Sequence, residues 1–97
     1  MDQSFTEAKD TAIALKYLTE AKALLRQDDY SFKEVEELLL KASKSTRYET
    51  YLELARLYER HNIFDEALKW YMRKYNHSML ETEDTLKVAS WYEQGIG

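Results

Sequence analysis

The chain contains no cysteine and no proline, and its two glycines, Gly95 and Gly97, both stand at the C-terminal end. Without cysteine there is neither a disulfide framework nor a thiolate for nucleophilic or metal chemistry. The turns of β-rich folds and long irregular loops draw heavily on proline and glycine. Their scarcity therefore predicts helices joined by short polar connections. No apolar run approaches the roughly 20 residues needed to cross a bilayer, and the opening segment MDQSFTEAKD has neither the basic nor the apolar stretch of a secretory signal. The expectation is a soluble, cytoplasmic protein with no membrane partner.

Charge of one sign is also missing. The formal net charge is −4, with acidic and basic residues mixed along the whole chain, whereas a nucleic-acid surface would show a basic stripe. The one basic cluster, Lys41, Lys44 and Arg47, reads as a solvated helix end, where cations are favoured. At 97 residues the chain is one domain at most, and 44% hydrophobic with 33% charged residues is a globular balance.

What is present is helical periodicity. Ile13, Tyr17, Ala21 and Leu24 follow steps of three and four, the stripe of a helix with one buried face. RQDDYS breaks that pattern, and Ser31 with Glu34 fits a capping box that opens a second helix carrying Phe32, Val35, Leu38, Leu39 and Ala42. Thr46 with Glu49 fits another box ahead of Tyr51, Leu54, Ala55 and Tyr58. Asn62 is the predicted N-cap of a fourth helix with Phe64, Ala67, Leu68 and Tyr71. Ser78 with Glu81 offers a third box before Leu86, Val88, Ala89 and Tyr92. The prediction is an all-α chain of about five helices.

The stripes repeat. Leu18, Leu52 and Leu86 are spaced by 34, as are Ala21, Ala55 and Ala89, while Phe32/Phe64 and Val35/Ala67 pair at a spacing of 32. Two helices approach closely only where one lacks a side chain beyond Cβ, so Ala21, Ala55, Ala67 and Ala89 are expected at helix crossings. Aromatics would fill the wedges beside them, with their polar tips reaching water.

Over YLELARLYERHNIFDEALKWYMRKY, the residues Tyr51, Leu54, Ala55, Tyr58, Phe64, Ala67 and Tyr71 fall on the signature spacing of the tetratricopeptide repeat, which this segment resembles. DEALKWY and YEQGIG are also similar to the related Sel-type repeats. The resemblance is strong over residues 48–76, good over 85–97 and weak over 11–44. It implies a short right-handed α-solenoid of antiparallel helix pairs, forming a single domain. Unit 1 would span about 11–44, unit 2 about 48–76, and a partial third unit or capping helix about 81–97. Asn62 replaces a common glycine but tolerates left-handed geometry, and Glu20 takes a usually apolar position, which suits a polar cap. WYEQGIG looks like the first helix of a third unit with its turn, either from a longer array or as a terminal cap.

No catalytic constellation emerges. His61 and His77 are isolated, and acidic pairs such as Asp28-Asp29, Glu36-Glu37 and Glu83-Asp84 point about 100° apart on a helix and do not converge. Phosphate-binding glycine loops and nucleophile elbows are absent. The expectation is a non-enzymatic adaptor or scaffold with no cofactor and no metal. In the repeat family the first helix of each unit lines a concave groove, which places Leu18, Lys22 and Leu25, then Leu52, Arg56 and Glu59, then Leu86, Ser90 and Glu93 against a peptide or protein partner. The same leucines read equally as core residues. The family's carboxylate clamp is not matched. The alternative role is structural, as the N-terminal segment of a longer repeat protein or as a homo-oligomer joined through the C-terminal helix. One side of that helix would pack on the fourth helix at Ala89, and its other side would stay uncovered.

Overall fold

The computed structural model describes residues 3–44 and 48–96. Among these the chain is all-helical, in five elements: α1 (Gln3–Leu25), α2 (Phe32–Ala42), α3 (Tyr48–Arg60), α4 (Phe64–His77) and α5 (Thr82–Glu93). No helix among them is long and apolar enough to cross a membrane. The helices fall into two compact units, Met1–Thr50 and Tyr51–Gly97, divided in the first turn of α3.

The first unit is a helical hairpin. α1 ends where Arg26 and Gln27 donate their backbone N–H groups to Ala23 and Leu24, and α2 opens where the Ser31 hydroxyl accepts the Glu34 N–H at 3.3 Å. Half of the expected capping box thus forms. The core joins Ala14, Leu18 and Ala21 of α1 to Val35, Leu39 and Ala42 of α2, all buried. The buried stripe of α1 corrects the one expected from Ile13: Ile13 is 43% exposed and Ala14 takes its place. At 100° per residue, a face centred on Ala14, Leu18 and Ala21 leaves Ile13 outside and Tyr17 and Leu24 at its edges, half-buried.

In the second unit α3 buries Leu54, Ala55, Leu57 and Tyr58, and α4 buries Ala67, Leu68, Trp70 and Tyr71. The spacing of 32 between α2 and α4 holds in burial, since Val35 and Ala67 are both fully buried, as are Leu39 and Tyr71. Asn62 does not cap α4. It closes α3 with φ 63°, while its N–H donates to Glu59 and the Ile63 N–H to Tyr58, the paired bonds of a Schellman turn. Left-handed backbone suits asparagine better than any β-carbon-branched residue. The capping residue of α4 is Ile63, that of α5 is Glu81, and neither makes a side-chain cap bond. Ser78 ends α4 rather than opening α5. The Thr46–Glu49 box involves a residue outside those described.

The same Schellman turn closes α5. Gly95 has φ 81°, its N–H donates to Tyr92, and the Ile96 N–H donates to Trp91. The equivalent turns align Tyr58 with Trp91, Asn62 with Gly95 and Ile63 with Ile96, a spacing of 33. The spacing of 34 assigned to α5 from Leu86, Ala89 and Tyr92 is therefore one residue out. In the observed register Ala55 matches Val88, both buried, whereas Ala89 is exposed and Leu86 and Tyr92 are 67% and 53% exposed. Ala89 is not a crossing point.

The burial pattern predicts which alanines tolerate bulk. Ala55→Leu and Ala67→Leu should each cost about 1–3 kcal/mol by overpacking, lowering Tm by roughly 4–8 °C per kcal/mol in a domain of this size. Ala89→Leu should leave Tm unchanged within a degree or so. Thermal denaturation followed by circular dichroism checks all three, and a tolerated Ala55→Leu or a disruptive Ala89→Leu would contradict the packing.

Candidate functional site

The polar side chains of the second unit converge on Glu59, near the end of α3. Its carboxylate accepts a hydrogen bond from the Tyr71 hydroxyl of α4 at 2.7 Å, and the Lys87 ammonium of α5 lies 3.0 Å from both of its oxygens. Lys87 also stands 3.8 Å from Asp84 and 5.6 Å from the centre of the Tyr71 ring. One turn earlier on α3, Arg56 reaches Asp84 at 3.8 Å. The Asp84 side chain is only 7% exposed, and a carboxylate that deep requires compensating charge. Two cations flank it, and its place in the first turn of α5 sets it at the positive end of the helix dipole.

Beneath this network the rings pack edge to face or tilted. Trp91 lies 5.5 Å from Phe64 and 5.8 Å from Tyr71, and Tyr51 lies 5.8 Å from Trp70. The Arg73 guanidinium covers Trp70 at 4.5 Å. The buried indole N–H of Trp70 has no acceptor among the described residues.

On its other side α5 leaves a gap against α4. An open groove of about 310 Å³ runs between them, lined by Met72, Tyr75, Leu80, Val88, Ala89 and Tyr92, with the Thr85 side chain at its edge. None of these residues is charged, and Tyr75 and Tyr92 are each 53% exposed. The chain entering α5 is fixed by the Lys74 ammonium, which donates to the Met79 carbonyl at 2.7 Å, while the Met79 side chain itself stands in solvent.

The residues expected in a concave groove are placed unevenly. Leu18 is 1% exposed and belongs to the core of the first unit, so it touches no partner. Lys22 is exposed and Leu25 half-buried at the end of α1. In the second unit Leu52 is half-buried, Arg56 and Glu59 belong to the ionic network, and Leu86 faces solvent. The Ser90 hydroxyl accepts a hydrogen bond from the Gln94 amide at 3.1 Å, and Glu93 is exposed. Arg56 and Glu59 are therefore brought together, but with Asp84, Tyr71 and Lys87 as their partners. In the sequence Tyr71 reads only as a core aromatic and Asp84 only as half of a non-converging acidic pair, and Lys87, Met72, Tyr75 and Leu80 are not singled out. One signal was present: Asp84 lies in phase with Val88 and Trp91, and a carboxylate on a core stripe calls for a buried cation. His61 sits in the turn after α3, and no group of three potential metal ligands occurs among the described residues.

Burial and the bond to the Glu59 carboxylate push the Tyr71 hydroxyl well above its ordinary pKa of 10.0, because both disfavour the phenolate. The folded pKa exceeds the unfolded one, so this contribution is complete below pH 10 and is lost as pH rises through the folded value. Tyr71→Phe keeps the ring and should cost about 1.5–3 kcal/mol at neutral pH, the worth of a hydrogen bond to a charged group. The gap between wild type and variant should then narrow above pH 10. Chemical denaturation at neutral and alkaline pH checks this, and a gap that widens with pH would contradict the assignment.

No protein-family model, curated protein or solved structure matches the chain.

Proposed function

We propose that this chain is a non-enzymatic protein–protein interaction module, an adaptor or scaffold built from tetratricopeptide-like helical hairpins in a right-handed solenoid. Its ligand in this reading is an amphipathic segment of a partner protein. One observation carries the proposal: the uncharged groove between α4 and α5, bordered by half-exposed Tyr75 and Tyr92. Continuous apolar surface of this kind on a helical pair fits the apolar face of a third helix laid alongside. Arg56 and Glu59 act as supports in this reading, because their charges are already engaged with Asp84 and Lys87. Lys22 and Leu25 of the first unit and, separately, Leu52, Leu86 and Ser90 of the second remain candidate contact residues.

The alternative occupant is another copy of the chain, which would make the protein an assembly subunit. The same exposed tyrosines favour it, since self-association would remove them from water. Burying a few hundred Å² of apolar surface yields several kcal/mol at roughly 25 cal/mol per Å², before the entropic cost of association.

A photo-crosslinking residue placed at Ala89 or Tyr92 should capture a partner that the same residue placed at Asp65 does not. Ala89→Glu should weaken that capture by about tenfold or more while leaving the helical circular dichroism unchanged, because Ala89 is exposed. Light scattering over a wide dilution series assigns a captured copy of the chain itself to the assembly reading. Capture that is indifferent to Ala89→Glu would refute the groove as the contact surface.

A further inference from the structure

The first unit carries a groove of different chemistry. α1 contributes Glu20, Ala23 and Leu24 to it, and α2 contributes Glu34, Glu37 and Leu38, around a cavity of about 350 Å³. Both sets follow the i, i+3, i+4 spacing that places residues on one face of a helix. Leu24 and Leu38 are half-buried and, with Ala23, form an apolar floor. The three glutamates are exposed and form the lips. Among the described residues none of the three is ion-paired. Lys41 also lines the groove, but its ammonium lies 5.6 Å from the centre of the Tyr17 ring, so it is attracted to the ring face.

That contact also fixes the sense of the hairpin. Tyr17 of α1 meets Lys41 at the end of α2, so the two helices run antiparallel. Glu20, three residues after Tyr17, is then level with about Leu38, so Glu37 stands across the groove from it. Glu34 stands about one helical turn nearer the turn between the helices, roughly 6 Å away at 1.5 Å per residue. A cavity of this size is at the small end of ligand pockets and suits one or two apolar side chains.

We propose that this groove binds a basic amphipathic peptide segment of a partner protein. An apolar anchor would rest on Ala23, Leu24 and Leu38, and Lys or Arg residues about one turn apart would meet the Glu20 and Glu37 pair and Glu34. The charge of the lips selects the occupant: three carboxylates repel an acidic segment, and the apolar floor gives no advantage to a purely hydrophilic one. The site uses no residue of the α4–α5 groove, so its test stands or falls separately from the function proposed above.

The experiment titrates a synthetic amidated helical peptide, with two central leucines and two lysines one turn apart beside them, into the isotope-labelled full chain at low salt. Two comparison peptides replace the lysines by glutamate or the leucines by serine. The expected result is saturable binding of the first peptide alone, with amide shift changes confined to residues 20–27 and 34–41. The double variant Glu20→Lys, Glu37→Lys should lose at least about tenfold in affinity, and since both positions are exposed its helical spectrum should persist. Absence of saturable binding up to about 1 mM, equal binding of either comparison peptide, or shift changes centred on α4 and α5 would each overturn the proposal.

Discussion

A single carboxylate ties the second unit together. Glu59 takes a proton donor from each of two other helices, the Tyr71 hydroxyl from α4 and the Lys87 ammonium from α5. No helix of this length is stable alone in water, and the apolar contacts that hold α3, α4 and α5 are not directional. Glu59 supplies direction. With Lys87 set against Glu59 and Asp84 set against Arg56, α5 has one rotation in which both acid–base contacts close. In that rotation Val88 and Trp91 face the core and Trp91 meets Phe64 and Tyr71.

The functional reading follows from that rotation. Once Val88 and Trp91 are committed inward, Ala89 and Tyr92 lie to one side, where with Met72, Tyr75 and Leu80 they line the groove beside α4. The groove is thus a consequence of how the network orients α5. Arg56, Glu59, Asp84 and Lys87 are engaged with one another, and the groove left open between α4 and α5 is lined by uncharged residues. That division between engaged charges and open apolar faces suits a binding module. The first unit presents the complementary case, an apolar floor between carboxylates that are not ion-paired among the described residues.

Much of the helical layout was legible in the sequence, because periodicity is local. Of the predicted caps among the described residues only Ser31 holds, and Asn62 and Ser78 end helices rather than open them. Ser31 caps α2, Val35 with Leu39 and Ala67 with Tyr71 fill their cores, and Asn62 takes the left-handed turn. The register of α5 was misread because leucine and alanine recur often enough to match at a spacing of 34 by composition. The turn residues Asn62-Ile63 and Gly95-Ile96, whose backbone geometry is specific, align at 33. Leu18 was ambiguous for a similar reason, since a leucine beside a stripe serves either core or groove, and burial alone decides. The Glu59 network was legible only in the phase of Asp84 with Val88 and Trp91. Its members come from three helices, and their meeting depends on distances that no single-helix pattern encodes.

The central claim is that α5 is rotated so that Val88 and Trp91 are enclosed while Ala89 and Tyr92 border an open groove. A chain without cysteine allows this to be measured directly. Single cysteines introduced at positions 88, 89, 91 and 92 would be labelled with a thiol reagent at high dilution under native conditions, and the labelling rates compared with those of the unfolded chain. The account predicts rates close to the unfolded ones at 89 and 92 and strong protection at 88 and 91. Protection at 89 and 92 with rapid labelling at 88 and 91 would contradict it, and would place the helix in the register that the leucine and alanine spacing suggests.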